Sequence, residues 1–141
     1  METVEEMVLT YAAAWAETDE EQRRTLLATC WADNGIYTDS TGQAVGREAL
    51  SYHIESFRQS FPGYRILLTS GIDTRHDRLR FTWTVVSPEG SRVMEGVDFG
   101  EVGPDGRLSR ITGFFSRPSP LPSSWPADLV LPNEQAEGSA N

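Results

Sequence analysis

From Tyr64 onward the apolar residues of this chain change period, from every three or four positions to every second one. That switch limits the chain to helices followed by a sheet that the helices must cover. Ahead of it, Val4, Met7, Val8, Tyr11, Ala14 and Trp15 predict an amphipathic helix over 3–17. Thr18 and Glu21 have the spacing of a capping box for a second helix, which runs to about Trp31 and buries Leu26, Leu27 and Cys30. The Asp33-Asn34-Gly35 turn leads into a short strand, Gly35–Asp39, which turns at Ser40-Thr41-Gly42 into Gln43-Ala44-Val45. Gly46 opens a third helix with the stripe Leu50, Ile54, Phe57 and Phe61, and Pro62-Gly63 ends it.

After the switch, 64–72, 78–87, 92–102 and 107–116 read as four strands. Ser87-Pro88-Glu89-Gly90 and Gly103-Pro104-Asp105-Gly106 supply tight turns, and Asp73–Asp77 a polar exposed link. Short turns between long strands imply an antiparallel meander. The expected class is α+β: three N-terminal helices packed in a curved antiparallel sheet, a cone whose open end is a ligand cavity. Residues 1–116 form this domain. Residues 117–141 hold five of the eight prolines and read as a tail without a core, in which Trp125 and Asp128–Leu131 are the segments able to dock on the cavity mouth or a neighbouring subunit.

A net charge of −9 argues against nucleic acid and against an anionic membrane surface. Every basic side chain is Arg, so no Schiff-base lysine is available. Cys30, the only cysteine, has no internal disulfide partner and is expected as a buried structural thiol. The acidic start lacks a signal-peptide core, and no apolar run reaches the ~18 residues of a membrane span. A soluble, cytoplasmic protein is expected. His53 and His76 stand too far apart, with one Cys, to suggest a metal site, and no phosphate loop or nucleophile elbow occurs. No cofactor is implied.

One carboxylate stands out. Asp39 closes a strand beside aromatic and apolar residues, where it either caps the Ser-Thr-Gly turn or offers a base to a ligand. His53 lies at the edge of the third helix's apolar stripe, as a rim residue or a second acid/base. Tyr11 reads as a helix-face residue packing on the sheet, and Asp98 as a strand residue able to pair with Arg80 or Arg110.

Three stretches, Tyr11–Asp19, Trp31–Gly42 and Asp98-Phe99 with Asp105–Leu108, resemble the NTF2-like superfamily, closest to its SnoaL-like and ketosteroid-isomerase-like branch. The likeness covers about residues 3–116. It implies Asp39 as general base, with Tyr11 and a protonated Asp98 as oxyanion donors; His53 joins them as an accessory group. Ser40 follows the base where the isomerase pattern has Pro, the second helix is longer, and Trp15 brings a larger ring beside Tyr11. Such a base needs a pKa lifted by apolar walls. Trp15, Trp31, Tyr37, Phe57, Trp83 and Phe115 are expected to line the pocket. The function expected is cofactor-independent isomerisation or aldol-type cyclisation of a small hydrophobic carbonyl compound. The alternatives are a ligand-binding or assembly module and an epoxide hydrolase using Asp and Arg. A homodimer through the outer sheet face is expected.

Overall fold

A computed structural model describes residues 2–115 and 118–132. Helix α1 (Val4–Ala16) starts in a capping box between Thr3 and Glu6. Helix α2 (Glu20–Cys30) is capped by Asp19, whose Oδ1 accepts the Glu21 amide at 3.0 Å; Thr18 does not cap it. Asp caps at least as well as Thr, so one extra residue stays outside the helix. Strand β1 (Trp31–Asp39) follows with no intervening turn. The polar Asp33-Asn34 segment is instead an exposed irregularity within it, where the register shifts. Gly35 is required there, because a Cβ would stand 2.5 Å from the Trp31 indole Nε1.

Strand β2 (Gly42–Val45) folds back on β1, and Gly46, at φ 90°, admits the chain to α3 (Arg47–Ser60). Five strands follow where four were expected. The segment 64–72 contributes only β3 (Arg65–Leu68), and the polar link contributes β4 (Asp73–Arg75). Both pair antiparallel with β5 (Arg78–Val86), β4 through a tight hairpin at His76-Asp77. Strands β6 (Arg92–Val102) and β7 (Leu108–Phe115) complete the order β2-β1-β7-β6-β5-β3.

The sheet is mixed, not wholly antiparallel: β1 runs parallel to β7. The first strand leaves the helical pair and docks beside the last strand, a pairing that only a long crossover can make. The meander β5-β6-β7 is antiparallel as expected. The concave face packs Leu79, Phe81, Val85 and Ile111 against Val8, Ala14, Leu27, Leu50 and Ile54.

One charged side chain sits inside this packing. Arg23 is fully buried; it donates to the Glu17 carbonyl at 2.8 Å and to the Ser51 carbonyl at 3.3 Å, and pairs with Glu55 at 2.8 Å. It thereby ties the α1 end and α3 to α2. Cys30 is buried as expected, and burial pushes its thiol pKa up to about 12. Among the described tail residues, Leu121, Trp125, Leu129 and Leu131 are exposed, and none forms helix or strand. No helix of the described residues is long and apolar enough to cross a membrane.

Candidate active site

A cavity of about 470 Å³ opens between α1, α3 and the concave sheet. Tyr11, Trp15, Tyr37, Asp39, His53, Phe57, Trp83, Asp98 and Phe115 all line it. Trp31 does not. It is fully buried behind the wall, stacked on Tyr11 with ring centroids 5.6 Å apart. A residue at the helix–strand junction faces the core there, and sequence spacing could not separate core from lining.

Two polar clusters interrupt the aromatic wall. The first is at the end of β1. Side chains two apart on a strand share a face, so Tyr37 and Asp39 project together. The Tyr37 hydroxyl donates to Asp39 Oδ2 at 2.8 Å, and His53 Nε2 on α3 meets the same oxygen at 3.1 Å. Asp39 Oδ1 accepts the Thr41 amide at 2.7 Å and the Thr41 hydroxyl at 2.6 Å. Asp39 therefore caps the turn and faces the cavity at once. Burial pushes its pKa up, but the hydrogen bonds from His53, Thr41 and Tyr37 outweigh that and hold it well below the usual carboxylate range. This corrects the expectation of a lifted base: apolar walls are present, yet the carboxylate is saturated with donors. Thr41 was missed as a site residue, although an Asp two positions before it is the ordinary signal of this turn bond.

The second cluster lies beside the first on the same concave face, on β5 and β6, with Asp98 Oδ1 and the Tyr37 hydroxyl both within 4 Å of the Cβ position of Gly113. Asp98, 6% exposed, accepts the Trp83 indole N–H at Oδ1 across 2.9 Å. Burial pushes its pKa up to about 7, aided by the charge of Asp39 and opposed by the Trp83 bond. Neither arginine weighed as its partner reaches it. Arg80 pairs with Asp73 at 3.0 Å, and Arg110 lies 3.8 Å from Glu101. Arg80 sits opposite Phe99 in the ladder, so it shares the outer face with Phe99 while Asp98 points inward. The Tyr11 hydroxyl is buried and makes no hydrogen bond among the described residues. The Trp15 ring meets Tyr11 edge-on at 6.5 Å without closing a bond to that hydroxyl. Burial, then the charge of Asp98, hold the Tyr11 pKa well above its ordinary value, so it stays a donor. His76 lies in the exposed β4–β5 hairpin, away from the cavity.

The SnoaL-like domain family matches residues 8–111, which carry every lining residue of the two clusters. The chain belongs to the SnoaL-like family. A SnoaL-like protein from Agrobacterium tumefaciens, provisionally named an isomerase, is 38% identical; the match covers 79% of this chain and 95% of that one, with a TM-score of 0.75. A Sinorhizobium meliloti protein, provisionally named a polyketide cyclase, is 17% identical over 76% and 92% of the chains, at TM-score 0.61. An NTF2-like protein of unknown function from Cytophaga hutchinsonii is 10% identical over 82% and 92%, at 0.62. These two share the fold. No functionally curated protein matches the sequence. The SnoaL-like architecture accounts for the mixed sheet, the helical cover and the cavity between them.

Proposed function

We propose that this protein catalyses cofactor-independent proton transfer on a small, largely apolar carbonyl compound, an isomerisation or an aldol-type cyclisation. One observation carries the reading: two carboxylates share one aromatic cavity and their surroundings push their pKa values in opposite directions. Such divergence separates a group that stays ionised from one that can remain protonated and donate. Tyr11 and protonated Asp98 would hold the oxygen of the enolate that forms when a neighbouring carbon loses its proton. The Asp39–His53 pair supplies the basic side. Trp15, Tyr37, Phe57, Trp83 and Phe115 would clamp the substrate and keep water out. The absence of any arginine among the described lining residues counts against an Asp–Arg hydrolase. The open cavity counts against a purely structural module.

2-Naphthol mimics the enolate and tests the oxyanion pair by fluorescence titration. Tyr11→Phe should weaken its binding ~10-fold or more, the range expected for a bond to a charged acceptor. Wild-type binding should weaken above pH 7 as Asp98 ionises, whereas Asp98→Asn, which donates at any pH, keeps it. Binding indifferent to both substitutions rules the oxyanion pair out.

We also propose a homodimer through the outer sheet face. Phe99 and Phe114 stand there 44% and 58% exposed, with ring centroids 6.0 Å apart. Arg92–Glu95 and Arg110–Glu101 place both charge signs beside them, so this patch can meet its own copy despite the net charge of −9. Light scattering should give a dimer mass that Phe114→Glu halves.

A further inference from the structure

A base needs a lone pair aimed at the proton it takes. A carboxylate offers about four acceptor positions, and Asp39 has filled them: Thr41 amide and hydroxyl on Oδ1, Tyr37 hydroxyl and His53 Nε2 on Oδ2. Its side chain is 4% exposed, so a donor that left would have little solvent to replace it. Accepting a proton would cost Asp39 one of these bonds.

His53 is placed differently. An ionised carboxylate only accepts, so the 3.1 Å contact makes Nε2 the donor, and in the neutral ring the lone pair is then on Nδ1. Nδ1 makes no hydrogen bond among the described residues and is not sealed off as a buried orphan. The ring forms part of the cavity wall, held edge-on by Trp15 at 6.0 Å and against Tyr37 at 5.1 Å.

We propose that His53, through Nδ1, takes the proton from the substrate carbon, and that Asp39 is its positioning residue, itself locked by Tyr37 and Thr41. The inference rests on the proposed function above and changes which group moves the proton. The step balances within the site. A bond forms between Nδ1 and the proton, the C–H electron pair moves onto the carbonyl oxygen, and Tyr11 and Asp98 donate to that oxygen. The imidazolium, facing the Asp39 carboxylate, returns the proton to carbon. The low pKa of Asp39 agrees, since a carboxylate so well solvated by donors is a weak acceptor at neutral pH.

Two measurements on the full chain decide it. The first is long-range 1H–15N NMR of labelled histidine, with His76→Gln assigning the signals. The neutral His53 ring should carry its proton on Nε2; an Nδ1–H tautomer overturns the proposal. The second is exchange of the α-hydrogens of 2-tetralone for deuterium in D2O. His53→Gln should lose ~10²-fold or more of the catalysed rate while binding 2-naphthol as wild type does. Asp39→Asn should keep a measurable part of the rate. Wild-type exchange in His53→Gln, with none in Asp39→Asn, makes Asp39 the base and overturns the proposal. Wild type that exchanges no faster than buffer instead sinks the carbonyl reading, and this inference with it.

Discussion

The indole N–H of Trp83 donates to Oδ1 of Asp98 across 2.9 Å, joining neighbouring strands inside the cavity wall. Gly96 makes the arrangement possible, since a Cβ there would run into the Trp83 indole. The bond favours the ionised carboxyl and works against the burial that raises its pKa. Removing it should therefore raise that pKa further. Trp83→Phe is expected to titrate Asp98 at higher pH than wild type, and to cost about 1–3 kcal/mol through the acceptor left unpaired. Carbon-detected NMR of the Asp98 carboxyl measures the first effect and urea unfolding the second.

Asp98 also links folding to pH. Its folded pKa of about 7 lies above the ordinary 3.8, so between those values the folded chain binds more protons than the unfolded one. Stability is then fully present below the unfolded value and is lost as pH rises toward 7. Three pKa units correspond to an upper value of about 4 kcal/mol. Asp39 has the opposite sign, but its folded pKa is depressed, so its loss falls at acid pH and outside this window. Urea unfolding from pH 5 to pH 8 should show stability falling in wild type and a flatter profile in Asp98→Asn.

How much of this was legible in the sequence depends on what periodicity records. It records which residues of a helix or strand face the core, so Tyr11, Trp15, Leu50 and Ile54 were readable, as was the inward row Leu79, Phe81, Trp83 and Val85. It does not record which strands become neighbours, and the parallel β1–β7 pair was missed for that reason. Asp39, Tyr11, Asp98 and His53 were found through residue type and resemblance, and all four meet in the cavity. The saturation of Asp39 was only half visible: the Tyr37 and Thr41 bonds are local, but the His53 contact spans fourteen residues and depends on how α3 packs.

Arg23 shows the same limit and makes its own prediction. The apolar spacing of the second helix marks Leu26, Leu27 and Cys30 and passes over Arg23, yet its side chain is sealed between α1 and α3. Arg23→Ala leaves the Glu17 and Ser51 carbonyls without these donors and opens a cavity at the helix junction. A loss of about 2–4 kcal/mol is expected from the emptied volume and the carbonyls left unpaired, since the exposed Glu55 carboxylate returns to water. Urea unfolding checks it against Arg24→Ala, whose exposed ion pairs should contribute less than about 1 kcal/mol.

Tyr11 should separate stability from binding. Its hydroxyl is buried without a partner, a state that costs about 1–3 kcal/mol relative to a satisfied group. Tyr11→Phe deletes the unsatisfied atom and keeps the ring stacked on Trp31 at 5.6 Å. The variant is therefore expected to unfold at the same urea concentration as wild type or a higher one. The same substitution removes one of the two proposed oxyanion donors in the cavity wall, so 2-naphthol affinity should fall. A residue kept only for packing would lose stability and leave affinity alone. Gain or neutrality in stability, together with loss of binding, is the signature of a polar group retained for its ligand, and a stability loss without an affinity change would place Tyr11 in the core instead.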